Sequence, residues 1–324
     1  MDPVAQHATN GGETVAAVVV THDRVDQLRQ CVDALLAEPI GHLVVVDNDS
    51  TDGTALYLAG ITDRRLVVVT SPDNLGGAGG FELGLRRSVG MGCDWLLLLD
   101  DDARPSPGAI AEFRRRRFGD DVGGVAAAVY AVSGEIAEIN RPGLNPFTGL
   151  PGVVRAVVRG RRSFHVTDGA YHCAEVDVDC VSFVGLFVRT RLVAGDLGFP
   201  PGEFFIYADD QIYTYRIRQL GLRNVFVPAI RFVHDTVTYS TPGAVSPLWK
   251  AFYLSRNNMR FYREIAGRWY PLVVPFKVLA WFARVGRYRH KRRYVELVTL
   301  GVADGLRNRF DRPHPEVVRR SEAA

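Results

Sequence analysis

The chain has 324 residues, 47% hydrophobic and 23% charged, which is the make-up of an ordinary globular protein with a full core and excludes disorder as its default state. Cys31, Cys93, Cys173 and Cys180 form no C-x-x-C pair, and no histidine stands at zinc-finger spacing; neither a structural zinc site nor a disulfide framework is indicated, and a reducing cytoplasm fits. The net charge of +3 hides an asymmetry, because residues 245–324 hold 17 Lys/Arg against 6 Asp/Glu while the remainder is acidic.

The opening MDPVAQHATNGG has neither a basic start nor an apolar run, so residues 1–13 read as a loose tail and not as a signal peptide. Val15 to Val20 is a continuous apolar run followed by Thr21-His22-Asp23-Arg24, and then a helical spacing through Val25, Leu28, Val32 and Leu35. Leu43 to Val46 repeats the pattern and ends at Asp47-Asn48-Asp49, with turn residues as far as Gly53. Third and fourth strands are expected at Leu66–Thr70 and Trp95–Leu99. Strands this apolar belong in a parallel sheet covered on both faces, with ligands beyond their carboxyl ends. Residues 141–179, rich in glycine and proline, read as loops or short strands. Ser182–Arg189 is expected as a strand, Asp209–Leu220 as a helix, and Asn224–His234 as a strand pair or a strand bent at Pro228. No internal repeat is visible.

The chemistry concentrates at the strand ends. Asp100-Asp101-Asp102 puts three carboxylates side by side at the open end of a buried strand, and a divalent cation relieves their repulsion; hard oxygen ligands suit Mg²⁺ or Mn²⁺. A solvated acidic turn is the competing reading. The segment 47–53 offers hydrogen bonds to a nucleotide, or simply caps the next helix. Asn74-Leu75-Gly76-Gly77-Ala78-Gly79-Gly80 opens a helix where backbone can approach a pyrophosphate or sugar. It fails the dinucleotide pattern G-x-G-x-x-G, because Glu82 occupies the third glycine's place, and no phosphate-loop lysine motif occurs. Asp209-Asp210 precede a helix and serve either as caps or as a general base. His234 closes an apolar stretch, and beside carboxylate ligands it becomes a candidate third ligand.

Taken in order, VVVTHDR, VVVDNDSTDGT, NLGGAGGF, LLLLDDD and FFIYADDQIYTYRIRQLG resemble the inverting GT-A glycosyltransferases of family 2, over most of residues 14–240. Within that family the chain looks most like the actinobacterial galactofuranosyltransferases that build cell-wall galactan, the initiating kind more than the larger polymerising kind. The resemblance implies a GT-A catalytic domain over residues 14–244, α/β with a mostly parallel sheet between helices, followed by a basic helical region over 245–324. It implies that Thr21, Asp23, Arg24, Asp47, Asn48 and Asp49 border the uridine of a UDP-sugar. Asn74, Gly76, Gly77, Gly79 and Gly80 would border its diphosphate and sugar, with Asp101 also on the donor side. Asp100, Asp102 and His234 would hold Mn²⁺ or Mg²⁺, while Asp210 is the base and Asp209 its neighbour. The implied acceptor is a polyprenyl-diphosphate-linked rhamnosyl-GlcNAc. Where the polymerising relatives carry paired tryptophans beside the acceptor, this chain has Val181-Ser182-Phe183. A rhamnosyl- or other hexosyltransferase of the family, and a non-catalytic nucleotide-sugar-binding protein, are the alternatives.

In the basic region, Pro271 to Val285 is apolar but short and interrupted by Lys277, and Arg284, Arg287, Arg289, Lys291, Arg292 and Arg293 follow. That composition fits an interfacial helix at the inner face of the plasma membrane better than nucleic acid. Packing onto the catalytic domain or onto a second copy of the chain is the other reading.

Overall fold

The computed structural model describes residues 13–235 and 244–322. The tail expected over 1–13 therefore lies, apart from Glu13, outside the described residues. Glu13 itself is tied down, its carboxylate paired with Arg189 and its carbonyl accepting from Arg114. Strands β1 (Val15–Thr21), β2 (His42–Asn48), β3 (Leu66–Ser71) and β4 (Trp95–Asp100) form a parallel half-sheet in the order β3-β2-β1-β4. It continues through β8 (Leu186–Arg189), β6 (Val122–Ala131), β9 (Arg223–His234) and β5 (Ala103–Pro105), with β7 (Val176–Val178) also on β9. β8 runs antiparallel to both β4 and β6, so the sheet is mixed.

Both faces are buried, which is why the strands carry no polar alternation. Val15, Ala17, Val19, Leu43, Val45, Leu97 and Leu99 face one core, closed by α1 (Val25–Leu36) and α4 (Ala109–Arg115). Ala16, Val18, Val20, Val44, Val46, Leu96 and Leu98 face the other, under α3 (Gly76–Ser88) and α7 (Asp209–Gln219). The remaining helices before the C-terminal region, α2 (Thr54–Ala59), α5 (Leu150–Arg159) and α6 (Thr190–Ala194), lie in the connections. α3 lies close on the sheet because it has glycines there: a Cβ on Gly80 would stand 2.4 Å from Val20, and one on Gly84 2.5 Å from Val18.

Three expectations need correction. The strand expected from Ser182 begins only at Leu186, after a turn at Gly185 whose φ is +74°. The stretch 141–179 contains a ten-residue helix, α5, which packs inwards through Val153 and Ala156. β6 was not anticipated at all, its two glycines and four alanines being poor strand formers; the glycines fit because Ile217 and Asn224 leave no room for larger side chains at Gly123 and Gly124. β9 is a single strand, and its pairing with β6 skips around Pro228, where the missing N–H cannot join the ladder.

Four helices complete the chain: α8 (Lys250–Ala266), α9 (Tyr270–Phe282), α10 (Lys291–Leu306) and α11 (His314–Glu322). α10 crosses α8 closely at Gly301 and Gly305. These helices share a hydrophobic cluster with the sheet domain, since Phe261, Ile265 and Val273 pack with Phe204, Ala208 and Ile212. Among the described residues no helix is long and apolar enough to cross a membrane. All four cysteines are free thiols.

Candidate active site

The carboxyl ends of β1, β2 and β4 open into a cleft of about 940 Å³ that runs on beneath α5, α8 and α9. Parallel register places Val20 opposite Asp100, so the Thr21–Arg24 turn and the acidic triplet meet at the sheet edge. The Thr21 hydroxyl donates to Asp101 at 2.7 Å, and Arg24 donates to Asp101 at 3.2 Å and to Asp102 at 2.8 Å. Asp101 is thereby a buried anchor of the turn, and burial pushes its pKa up to about 7 despite those partners.

Asp100, Asp102 and His234 present one ligand atom each within 4.8 Å of one another. β5 pairs Ala103 with His234 across the end of the sheet, which is what brings the imidazole from the last strand to the triplet. His234 Nε2 lies 2.9 Å from Asp102, and Nδ1 lies 2.8 Å from the carbonyl oxygen of the Asn140 side chain. Since that oxygen only accepts, Nδ1 carries a proton and Nε2 is the nitrogen left to face a cation. Burial, then the charge of Asp102, pushes Asp100 up to about 6; Asp102 is held below the usual carboxylate range, where His234 and Arg24 outweigh burial. His234 is raised, burial being outweighed by Asp102 and Asp100. Two hard carboxylates and an imidazole, short of positive charge, fit Mn²⁺ or Mg²⁺.

Asp209 and Asp210 begin α7 beside this cluster. They follow a contorted loop in which Phe205, Tyr207 and Ala208, none of them glycine, have φ of 66°, 72° and 65°. Such conformations cost about 1–3 kcal/mol each and persist only where the surroundings impose them. Here α8 imposes them: the Asn257 amide donates to the carbonyls of Phe204, Ile206 and Tyr207, and Arg256 donates to those of Glu203 and Phe204. Arg256 is fully buried between the rings of Tyr253 and Phe310, and burial lowers its pKa to about 10. Asp210 accepts from the Gln211 backbone N–H at 2.7 Å and lines the cleft. Burial, then the adjacent Asp209, raises it well above a normal carboxylate; Asp209 is pushed up to about 6 by burial. A carboxylate whose pKa lies nearer neutrality is a better proton acceptor.

The structure divides the other expected donor residues. Thr21, Arg24, Asn48, Asn74, Gly76, Gly77 and Asp101 line the cleft. Asn48 is buried and spends its side chain on the glycine loop, donating to Asn74 and Gly76 and accepting from Leu75 N–H. Gly76 is required by a φ of +68° and by the Phe205 carbonyl, 2.2 Å from where its Cβ would be, whereas Gly77 faces open space. Gly79 and Gly80 serve packing, against Leu75 and Val20. Asp23 and Asp47 hold the loop after β2, accepting from Thr51 and Ser50 N–H; Asp49 is exposed. Asp52 accepts from Val25 and Thr54 N–H, capping two helices at once.

Asn140 and Asn257 escaped the sequence reading. Asn140 lies in a stretch with no periodicity. Asn257 did leave a signal, since an Arg-Asn-Asn run within an otherwise apolar helix face needs buried partners.

The sequence pattern described as Glycosyl transferase family 2 matches residues 16–174. Galactofuranosyltransferase GlfT1 of Mycolicibacterium smegmatis is 42% identical over 96 residues, 29% of this chain and 32% of that protein. The chain thus spans about a third of the length of the curated relatives it matches. Among solved structures, the mannosyltransferase PcManGT of Pyrobaculum calidifontis, in complex with GDP-Man and Mn²⁺, is 16% identical with a TM-score of 0.53, over 92% of this chain and 88% of that one. GalNAc-T7 with UDP, GalNAc and Mn²⁺ is 11% identical with a TM-score of 0.52, over 84% and 58%. At these identities the two likenesses speak to the fold, which is GT-A, as the motifs led one to expect.

Proposed function

The chain carries a glycosyl transferase family 2 domain, and from that premise we propose that it transfers a sugar with inversion, in a metal-dependent reaction, from a nucleotide diphosphate donor to an acceptor hydroxyl. The donor we assign is UDP-galactofuranose and the acceptor a polyprenyl-diphosphate-linked rhamnosyl-GlcNAc, as in galactan synthesis. The observation that carries the reading is the meeting, in one cleft, of the Asp100, Asp102 and His234 cluster with the raised carboxylate of Asp210. The local identity to galactofuranosyltransferases supports the choice of sugar.

Asp100, Asp102 and His234 would hold the cation, which when bound neutralises charge developing on the departing diphosphate. Thr21 and Arg24 fix Asp101 and Asp102 so that the cluster is set before substrate arrives. Gly76 and Gly77 let backbone come close to the donor. Asp210 takes the proton of the attacking hydroxyl, worth about 10²- to 10⁴-fold in rate. Attack on the face opposite the leaving group inverts the anomeric carbon without a covalent intermediate.

The protein would work at the inner face of the plasma membrane, peripherally bound. Apolar side chains exposed on α5 and α9 and the basic run from Arg284 to Arg293 support that placement. Product analysis with UDP-galactofuranose and a synthetic lipid-linked rhamnosyl-GlcNAc tests donor and acceptor together. An inverted galactofuranosyl product from the wild type, and none from Asp102→Ala or Asp210→Ala, is expected. Equal turnover of another nucleotide sugar would reassign the donor, and full activity in either variant would remove the role given to that residue.

A further inference from the structure

The far half of the cleft is unlike the donor half. α9 and the turn after it present Val273, Phe276, Lys277, Ala280, Trp281 and Arg284 to it, a three-and-four spacing that makes one helical face. The Lys277 ammonium lies 4.4 Å from the centre of the Phe164 ring and 5.0 Å from that of Tyr262. Among the described residues the charge that acts on it is another cation, Arg284, seven residues on; burial and that neighbour lower the Lys277 pKa to about 8. Arg284 lines the same part of the cleft two helical turns on from Lys277, and its charge acts on Tyr262 as well.

Aromatic faces recover part of the lost hydration of a cation, but two like charges on one half-buried helical face still repel each other. Such a pair is relieved by an anion. The donor's diphosphate is drawn to the opposite end, where Asp100 to Asp102 await a divalent ion, so the anion for this end must arrive with the acceptor. What lies beyond the cations describes the rest of that molecule. Leu150, Val154 and Val158 of α5 are 54%, 55% and 78% exposed, and Leu272 and Leu279 of α9 are 50% and 65% exposed. Apolar surface of this extent next to a cationic pocket complements an amphiphile with an anionic head.

Building on the transfer proposed above, we propose that Lys277 and Arg284 form an anion subsite for the phosphate ester of a lipid-linked acceptor, whose apolar chain lies along α5 and α9. The subsite fixes how far the acceptor sugar reaches towards Asp210, and sets the enzyme apart from one that takes free oligosaccharide.

Farnesyl diphosphate, farnesol and inorganic pyrophosphate are the probes, titrated calorimetrically into the full chain in EDTA so that no metal at Asp100 and Asp102 captures the phosphate. The wild type should bind farnesyl diphosphate at least about tenfold more tightly than either of the other two. Lys277→Met and Arg284→Gln should each weaken it by about tenfold, while Lys277→Arg largely restores it. Lys277→Met keeps the apolar stem and removes a half-buried charge, so it should fold; its melting temperature checks that. Unchanged affinity in both charge-removing variants would overturn the subsite. Farnesol binding as tightly as the diphosphate would overturn the role of charge, and pyrophosphate binding as tightly would overturn the role of the chain. No sugar donor enters this assay, so a wild type that transfers no galactofuranose would sink the proposed reaction without touching the subsite.

Discussion

At the end of the cleft built by β1, β2 and β4, charged groups stand hydrogen-bonded to one another: Thr21 and Arg24 to Asp101, Arg24 and His234 to Asp102, Asn140 to His234. At the end built by α5, α8 and α9, Lys277 stands among aromatic rings with Arg284 two turns on, and among the described residues neither has a hydrogen-bonded carboxylate partner. The first end is assembled by adjacent parallel strands, so its geometry follows from register. The second is assembled by helices distant in sequence from those strands, so its geometry follows from packing. Asp210 sits where the two meet, in the first turn of α7, after a loop whose backbone is bonded to α8, while its carboxylate feels Asp100. On the proposed assignment, metal and donor would be held by one end alone, whereas the position of the base would depend on the other.

That division can be broken by mutation. The largest effect is expected from Asp210→Asn, which should lower the transfer rate about 10³-fold in single-turnover assays and leave Mn²⁺ affinity unchanged. Next, Asn140→Leu removes the acceptor that holds the His234 proton on Nδ1, and should weaken Mn²⁺ binding about 10- to 100-fold. Its counterpart, Asn257→Leu, strips donors from three carbonyls of the loop before Asp209. Chemical denaturation should show a loss of about 1–3 kcal/mol, and kcat should fall with Mn²⁺ affinity preserved. If Asn257→Leu loosened metal binding as much as Asn140→Leu, the two ends would not be separable. Smaller still is the contrast between two glycines of one motif. Gly80→Ala drives a methyl into Val20 and should destabilise by about 1–3 kcal/mol, while Gly77→Ala should leave stability nearly intact and raise the donor KM.

The pH dependence of the metal-free protein sharpens the picture of the acidic end. Asp100, Asp101 and Asp209 are raised to about 6, 7 and 6, and Asp210 is raised too, so the folded state holds protons that the unfolded chain releases near pH 4. Their contribution is fully present below that value and is lost as pH rises through the folded pKa values. Asp102, which is lowered, runs the other way but is one group against four. The melting temperature without metal should therefore fall between about pH 4 and pH 8. Excess Mn²⁺ should restore much of it at the upper end.

Much of the donor end was legible in the sequence because each strand and the loop after it are contiguous: Val15–Thr21, His42–Asn48 and Trp95–Asp100 announce themselves by apolar runs, and the residues that follow them meet in space. Which of those residues faces ligand was not legible. NLGGAGGF reads as one glycine loop, yet of its glycines Gly76 and Gly77 reach the cleft while Gly79 and Gly80 let α3 pack closely, a distinction made by helix phase. β6 and α5 were hidden for the opposite reason: Val122–Ala131 is small-residue sequence made into a strand by its neighbours, and Leu150–Arg159 sits amid glycine and proline. Asn257, Lys277 and Arg284 acquire meaning only when α8 and α9 fold back over the cleft.

The most direct test is Mn²⁺ binding followed by electron paramagnetic resonance in the presence of UDP, comparing the wild type with Asp102→Asn. One tightly bound ion per wild-type chain, with phosphorus hyperfine coupling from the nucleotide, and its loss in the variant, is the predicted result. An ion held equally well by Asp102→Asn, or one that shows no coupling to the diphosphate, would contradict the assignment of the site.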